Sequence, residues 1–268
     1  MSTLNQQINF LLKLDHIKIS ALLITYNEVN HINEVIANID FANEIIVIDS
    51  YSNDGTYEKL KKLNNVKVIQ REFKNFADQR NFAIDQANNN WILFIDADER
   101  ITPGLRQEIL EKVNSDTESV AFRFPRQFIF QKKQIKFSGL QTDTIFRLFK
   151  KGTAKYREDR LVHELLDING KTELLNHKML HYSFSNYESY KSKVEHYGKL
   201  KALELFNKGV KPNAFHFYFK PFYKFVSNFI FRLGFLDGKV GYNICKLNAY
   251  GVTCRYNELK NLIKITPK

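Results

Sequence analysis

Residues 91–100 read Trp91-Ile92-Leu93-Phe94-Ile95-Asp96-Ala97-Asp98-Glu99-Arg100, an apolar run that ends in three acidic side chains. A short continuous apolar run suits a strand covered on both faces. Carboxylates are costly at the end of a buried strand unless a cation meets them. In an open α/β sheet, ligands bind outside the carboxyl ends of the strands. Hard divalent cations take oxygen ligands and commonly bridge one or two carboxylates to substrate phosphates. The stretch therefore has two readings. One is a metal–diphosphate site; the other is a solvated acidic turn ahead of a helix that starts at Thr102.

Working outward, strands and helices alternate. Residues 17–24 form an apolar, β-branched run and predict a buried strand. Asn27 or Asn30 can cap a helix to about residue 39. Residues 44–48 and 66–69 predict two more strands, with Asp54-Gly55-Thr56 turning into a helix between them. Residues 76–88 carry helical spacing, and Thr102-Pro103 opens a helix to about residue 113. Such alternation predicts a mainly parallel sheet with helices on both faces. Beyond Asn114 the pattern changes to short strands at 120–125, 127–130 and 144–149, then a helix from Ser185 to about Asn207.

The chain has 268 residues and an ordinary 44% hydrophobic content, enough for one large domain or a domain with an extension. Cys245 and Cys254 are too few for a disulfide scaffold and lack metal-ligand spacing, which points to free thiols. Met1–Gln7 lack a basic start followed by an apolar core, so no signal peptide is expected. No run reaches the roughly 18 apolar residues of a membrane span. Charge is uneven. Residues 1–113 hold 12 Lys+Arg and 16 Asp+Glu, whereas the remainder holds 28 and 13. The basic half suits a polyanion, with nucleic acid, anionic lipid and phosphorylated glycan all of the right sign.

Four polar elements would converge on one sheet edge. They are Thr25-Tyr26-Asn27-Glu28, then Asp49-Ser50-Tyr51-Ser52-Asn53-Asp54-Gly55-Thr56, then Asp78-Gln79-Arg80-Asn81, then Asp96-Ala97-Asp98-Glu99. On these motifs the chain resembles glycosyltransferase family 2, inverting nucleotide-sugar transferases with the GT-A fold. Arg147-Leu148-Phe149, Val162-His163-Glu164 and Gly234-Phe235-Leu236-Asp237-Gly238 bring it nearest to the bacterial lipopolysaccharide core β-1,4-glucosyltransferase branch. Many members carry Asp-Asp where this chain has Asp49-Ser50.

The resemblance implies roles. Asp98, with help from Asp96, would hold Mg²⁺ or Mn²⁺ against the donor diphosphate. Asp96 would alternatively hold the ribose. Asp49 would accept from a nucleobase N–H. Thr25, Tyr26, Asn27 and Glu28 would line the nucleotide pocket, and Arg80 would offset diphosphate charge. Inversion needs one general base on the acceptor side. Glu164 is the candidate, with His163 orienting it or contacting phosphate and Asp159 and Glu99 in reserve; His181 reads as structural.

Residues 215–235 contain eight Phe and two Tyr interleaved with Lys220, Lys224 and Arg232. This segment reads either as an interfacial helix on an anionic membrane, with Phe222, Phe225 and Phe229 entering it, or as core. The expected organisation is a donor half at 1–125, an acceptor half at 126–210 and a helical extension at 211–268. The expected reaction moves a hexose, glucose by the resemblance, from a UDP-sugar to a lipid-linked or lipopolysaccharide core glycan. The expected place is the cytoplasmic membrane's inner face, without nucleic acid. A sugar nucleotidyltransferase and a basic nucleic-acid-binding module are the competing readings. The first would want a Gly-rich, Lys-bearing loop after strand one, which Thr25-Tyr26-Asn27-Glu28 is not.

Overall fold

The computed structural model of the protein describes residues 18–157, 166–184 and 186–265. These fall into two units, one of residues 18–126, 144–157 and 166–181, the other of 127–143, 182–184 and 186–265.

The first unit is built on strands β1 (Ile19–Thr25), β2 (Glu44–Asp49), β3 (Val66–Gln70) and β4 (Trp91–Phe94), all parallel, with β1 between β2 and β4. The strand side chains alternate between two apolar clusters. Ile19, Ala21, Leu23, Ile45, Val47 and Leu93 pack with helices α1 (Ile32–Asn38), α2 (Thr56–Lys61) and α4 (Pro103–Asn114). Leu22, Ile46, Ile48, Ile92 and Phe94 pack on the opposite face with α3 (Phe76–Gln86). Covered on both faces, these strands can be apolar throughout, as the sequence shows. The sheet continues antiparallel beyond β4. Strand β5 (Glu99–Ile101) follows the acidic loop, and β6 is a single strand over Ser119–Phe130. Pro125 was expected to end a strand, yet lies within β6, which pairs antiparallel with β8 (Thr144–Lys150) across a register shift near Phe122. Strand β7 (Lys133–Ile135) belongs to the second unit. The short strands β9 (Ala154–Tyr156), β10 (Leu166–Ile168), β11 (Lys171–Leu174) and β12 (Met179–Phe184) gave no sequence signal long enough to read.

Caps explain several helix starts. Thr102 accepts from the Leu105 N–H, and Asn75 accepts from Asp78. Neither Asn27 nor Asn30 caps α1, whose first position follows His31. Asn27 instead sits at φ 57° and laces two loops, as described below.

In the second unit, Asn186 and Ser189 form a reciprocal cap that starts helix α5 (Tyr187–Asn207). Helix α5 packs along α7 (Gly238–Ile265), with Tyr190 donating to Asn248 and Tyr250 to Glu195. The backbones approach closely, since a Cβ at Gly198 would lie 3.1 Å from the Gly251 carbonyl oxygen. Between α5 and α7 the chain runs as a π-turn (Phe215–Phe219), helix α6 (Lys220–Val226) and a second π-turn (Ser227–Phe231). Pro221 has no N–H to give to the carbonyl four residues back, and the turn before it is widened. Among the described residues, no helix is long and apolar enough to cross a membrane.

Candidate active site

Strand β1 meets β2 with Thr25 opposite Asp49, and β4 flanks β1, so the loops after all three leave one sheet edge. The first two loops are laced together. The Asn27 N–H donates to Ser52 Oγ at 2.9 Å, and the Asn53 N–H donates to Asn27 Oδ1 at 2.9 Å. Asp54 accepts from the N–H groups of Val29 and Thr56, and the Glu28 N–H donates to the Thr56 hydroxyl. Glycine at 55 fits its φ of 96°. The Asp54-Gly55-Thr56 turn is thus the frame of the edge.

Asp49 is fully buried and accepts four hydrogen bonds, from Thr25 Oγ1, Ser52 N–H, Ser52 Oγ and Gln70 Nε2. Those donors fill a carboxylate's acceptor positions. The residue expected to read a nucleobase therefore organises the turn first, and Thr25 serves it rather than lining open space. Tyr26 and Asn27 are exposed at the edge.

Helix α3 places Gln79 against Ser50 and the Arg71 carbonyl, while Asn81 exchanges bonds with the Tyr156 backbone. Arg80 lies between them, its guanidinium 4.6 Å from the Phe94 ring centroid and 2.8 Å from Asp96 Oδ1. Arg147, 1% exposed in the middle of β8, donates to the other Asp96 oxygen and to Glu99 at 2.7 Å. Glu99 also accepts from the Asp96 N–H and lies 3.7 Å from Arg126. The sequence reading had Asp96 on a metal or ribose and Arg80 on a diphosphate; the structure joins the two to each other. Burial alone would push the Asp96 carboxyl up, but Arg147 and then Arg80 hold it well below the usual carboxylate range. Glu99, a reserve general base, is fully enclosed and serves as a brace. Arg100 fixes the loop itself by donating to the carbonyls of Ala97, Glu99 and His31.

Asp98 takes a different partner. His181, on β12, pairs opposite Glu99 of β5, which sets its Nε2 3.2 Å from Asp98 Oδ2. His181 was expected to be structural, and the strand pairing that brings it to Asp98 had no sequence signal. Glu28 shares this field. Burial, then Asp98, Asp54 and Asp96, push its carboxyl up to about 7, against the pull of Arg100. Carboxylate and imidazole suit Mn²⁺ or Mg²⁺ as a partial ligand set that diphosphate oxygens would complete. Among the described residues, no three His, Cys, Asp or Glu side chains gather as a closed metal cage. Glu164, His163 and Asp159 lie outside the described residues.

The profile of Glycosyl transferase family 2 matches residues 20–172. A glycosyltransferase of Rickettsia bellii, described as uncharacterized, is 29% identical over 91% of this chain and 87% of its own. The lipopolysaccharide core biosynthesis glycosyltransferase LpsC of Rhizobium meliloti is 25% identical over 76% of this chain and 77% of its own. Among solved structures, mannosyltransferase PcManGT from Pyrobaculum calidifontis in complex with GDP-Man and Mn²⁺ covers 94% of this chain and 76% of its own, with TM-score 0.50 and 14% identity. S. aureus TarS 1–349 with UDP-GlcNAc covers 93% and 92%, also with TM-score 0.50 and 14% identity. The architecture is the expected GT-A α/β fold with a C-terminal helical extension. The nucleotidyltransferase and nucleic-acid readings give way to a glycosyltransferase.

Proposed function

From the premise that the chain belongs to glycosyl transferase family 2, we propose that it transfers glucose from UDP-glucose, with inversion, to a lipid-linked or lipopolysaccharide core glycan. The observation that carries the reading is the Asp98–His181 pair beside an Asp96 already neutralised by two arginines. We assign Asp98, held by His181, as the carboxylate of the strand-end motif that meets a cation arriving with a diphosphate. The likeness to LpsC supports a core-glycan acceptor, and the UDP-sugar bound by TarS supports the donor class. A divalent cation bound there supplies Lewis-acid stabilisation of the leaving nucleotide.

The chain's own residues do the rest. Arg80 and Arg147 fix the Asp96 carboxylate, and Arg100 fixes the loop backbone that carries Asp98. The Asn27–Ser52 and Asn53–Asn27 bonds hold Tyr26 and Glu28 at the nucleotide's edge. Glu164, oriented by His163, takes the acceptor hydroxyl proton. Residues to 125 bind the donor, 126–210 the acceptor, and the enzyme works at the periphery of the cytoplasmic membrane's inner, anionic face.

The test is nucleotide release from a panel of UDP- and GDP-sugars with Mg²⁺ or Mn²⁺, using deacylated lipopolysaccharide core as acceptor. UDP-glucose should give the highest turnover, and Asp98→Ala should abolish it while leaving the fold intact. Glu164→Gln should keep donor binding and lose about 10²–10⁴-fold in turnover. Equal turnover of Asp98→Ala and wild type at saturating metal and donor would sink the site; a GDP-sugar preference would overturn the donor.

A further inference from the structure

The chain from the first π-turn to the end of the second puts most of its rings outside. Phe217 turns inward against Tyr256. Phe215, Phe219 and Tyr223 stack in a ladder with centroids 4.7 and 6.0 Å apart, and all three are exposed. Tyr218, Phe222 and Phe231 are 78%, 64% and 72% exposed. The stacked rings of Phe215, Phe219 and Tyr223 are contiguous, with exposed Tyr218 and Phe222 beside them in sequence, rather than scattered single residues. Ile230, Phe235 and Leu236 are exposed beyond it. Soluble proteins rarely leave an apolar patch of this extent without a partner.

The structure also sorts the rings. Phe225 and Phe229 stack on each other and meet Tyr242 of α7 edge-on, so they are packing residues and Phe222 alone of the three expected rings is presented. Lys220 bends back to donate to the Tyr256 hydroxyl at 2.8 Å, which removes it from the expected set of headgroup cations. Lys224 and Lys239 remain exposed, and Arg232 is exposed too while giving one Nη1–H to the Gly139 carbonyl at 3.1 Å.

The charge around the stripe selects the occupant. Residues 211–236 contain no Asp or Glu, and residues 211–265 contain nine Lys+Arg against two acids. One of those acids, Asp237, spends its carboxylate on the N–H groups of Lys136 and Phe137 and the Ser138 hydroxyl. A second copy packed face to face on this stripe would bring a like charge against it. An anionic lipid surface brings the opposite charge and an apolar layer at the depth of a ring. Tyr218 and Tyr223 carry polar tips suited to that boundary.

We propose that the stripe formed by Phe215, Tyr218, Phe219, Phe222, Tyr223 and Phe231 inserts into the headgroup boundary of an anionic membrane, with Lys224, Arg232 and Lys239 on lipid phosphates. The attachment is reversible and needs no spanning segment. It does not depend on the identity of the donor, because it is read without nucleotide sugar.

Flotation of the full chain with phosphatidylcholine vesicles, with and without phosphatidylglycerol, tests the proposal. Binding is expected only to the anionic vesicles at low salt and should weaken as the Debye length shrinks from about 10 Å at 0.1 M. The triple variant Tyr218→Ser, Phe222→Ser, Phe231→Ser should lose more than about tenfold in vesicle affinity and keep its melting temperature and its turnover on soluble acceptors. Lys224→Ser and Lys239→Ser should each cost about fivefold, the worth of one basic residue at such a surface. Wild type that ignores anionic vesicles at low salt overturns the proposal. So does a triple variant that melts lower, which would make the stripe core. Concentration-dependent dimerisation lost in the triple variant, without vesicle binding, would assign the face to a second copy instead.

Discussion

Two regions of this protein break the ordinary partition of residues in opposite directions. At the end of β4, Asp96, Glu99 and Arg147 are drawn into the interior with Arg80 and Arg126 close by. Along α6 and its flanking π-turns, Phe and Tyr rings stand in water while no acid accompanies them. Singly exposed apolar residues are normal in folded proteins, whereas buried charge and a contiguous exposed apolar stripe are not. Each departure has a cost that packing alone does not return. The first charge cluster fixes the loop that carries Asp98. The second leaves a contiguous apolar face exposed. The difference lies in what relieves the cost. The interior cluster is already relieved by its own partners, and the stripe is not.

The largest expected effect breaks the interior side of the comparison. Arg147→Met would leave the buried Glu99 and the half-buried Asp96 with one strong partner fewer, and breaking such a cluster costs about 3–5 kcal/mol. Lys171→Met removes an ion pair to Glu118 of 3.2 Å, but on the surface, and should cost under about 1 kcal/mol. Urea denaturation of both variants makes the check, and equal losses would mean that the interior cluster is no more than a surface pair. Acid offers the same test without mutation. Asp96 is held below its ordinary value in the folded state. Its contribution is complete above the unfolded carboxylate value of about 4 and should fall away as pH drops below it.

Glu28 is the acid in this field whose carboxyl is pushed the other way, to about 7, by burial and then by Asp98, Asp54 and Asp96. Between the unfolded value of about 4.3 and that folded value, the native state holds an extra proton, so stability declines as pH rises through the window. Glu28→Gln removes the titration. In chelator it should gain up to about 3 kcal/mol over wild type at pH near 8 and close to nothing at pH near 4. Thermal melts at the two pH values decide it. A gain independent of pH would show that Glu28 does not feel the carboxylates around Asp98.

The parallel half of the fold was legible because its strands are apolar on both faces and its turns carry their own chemistry. Asp54-Gly55-Thr56 and Thr102-Pro103 each fix a helix start where the sequence places it. The motif loops after β1, β2 and β4 were legible for the same reason. What escaped reading depends on pairings distant in sequence. His181 reaches Asp98 only through the β12–β5 ladder, a separation of 83 residues with no periodic signal. Arg147 did leave a signal, a lone cation inside the apolar run 145–149, where a charge requires a buried partner. The bonds of Asp49 to Ser52 and Gln70 were not legible, because they are a property of a closed turn, not of a motif.

The aromatic segment was legible as amphipathic but not as to which ring points where. Regular helical geometry put Phe222, Phe225 and Phe229 on one face, yet two π-turns rotate the phase around Pro221. That rotation gives the smallest and sharpest test. Phe225 stacks 5.3 Å from Phe229 and meets Tyr242 edge-on, so Phe225→Ser should cost about 2 kcal/mol in the absence of lipid. Phe222, three residues earlier and exposed, should cost no more than about 0.5 kcal/mol on the same change. Denaturant midpoints of the two variants in buffer compare them directly. If the two losses match, Phe222 is a packed ring and the stripe is not presented to a membrane. If only Phe225→Ser destabilises, the interior and exterior populations of rings are separate, as the contrast between the two regions requires.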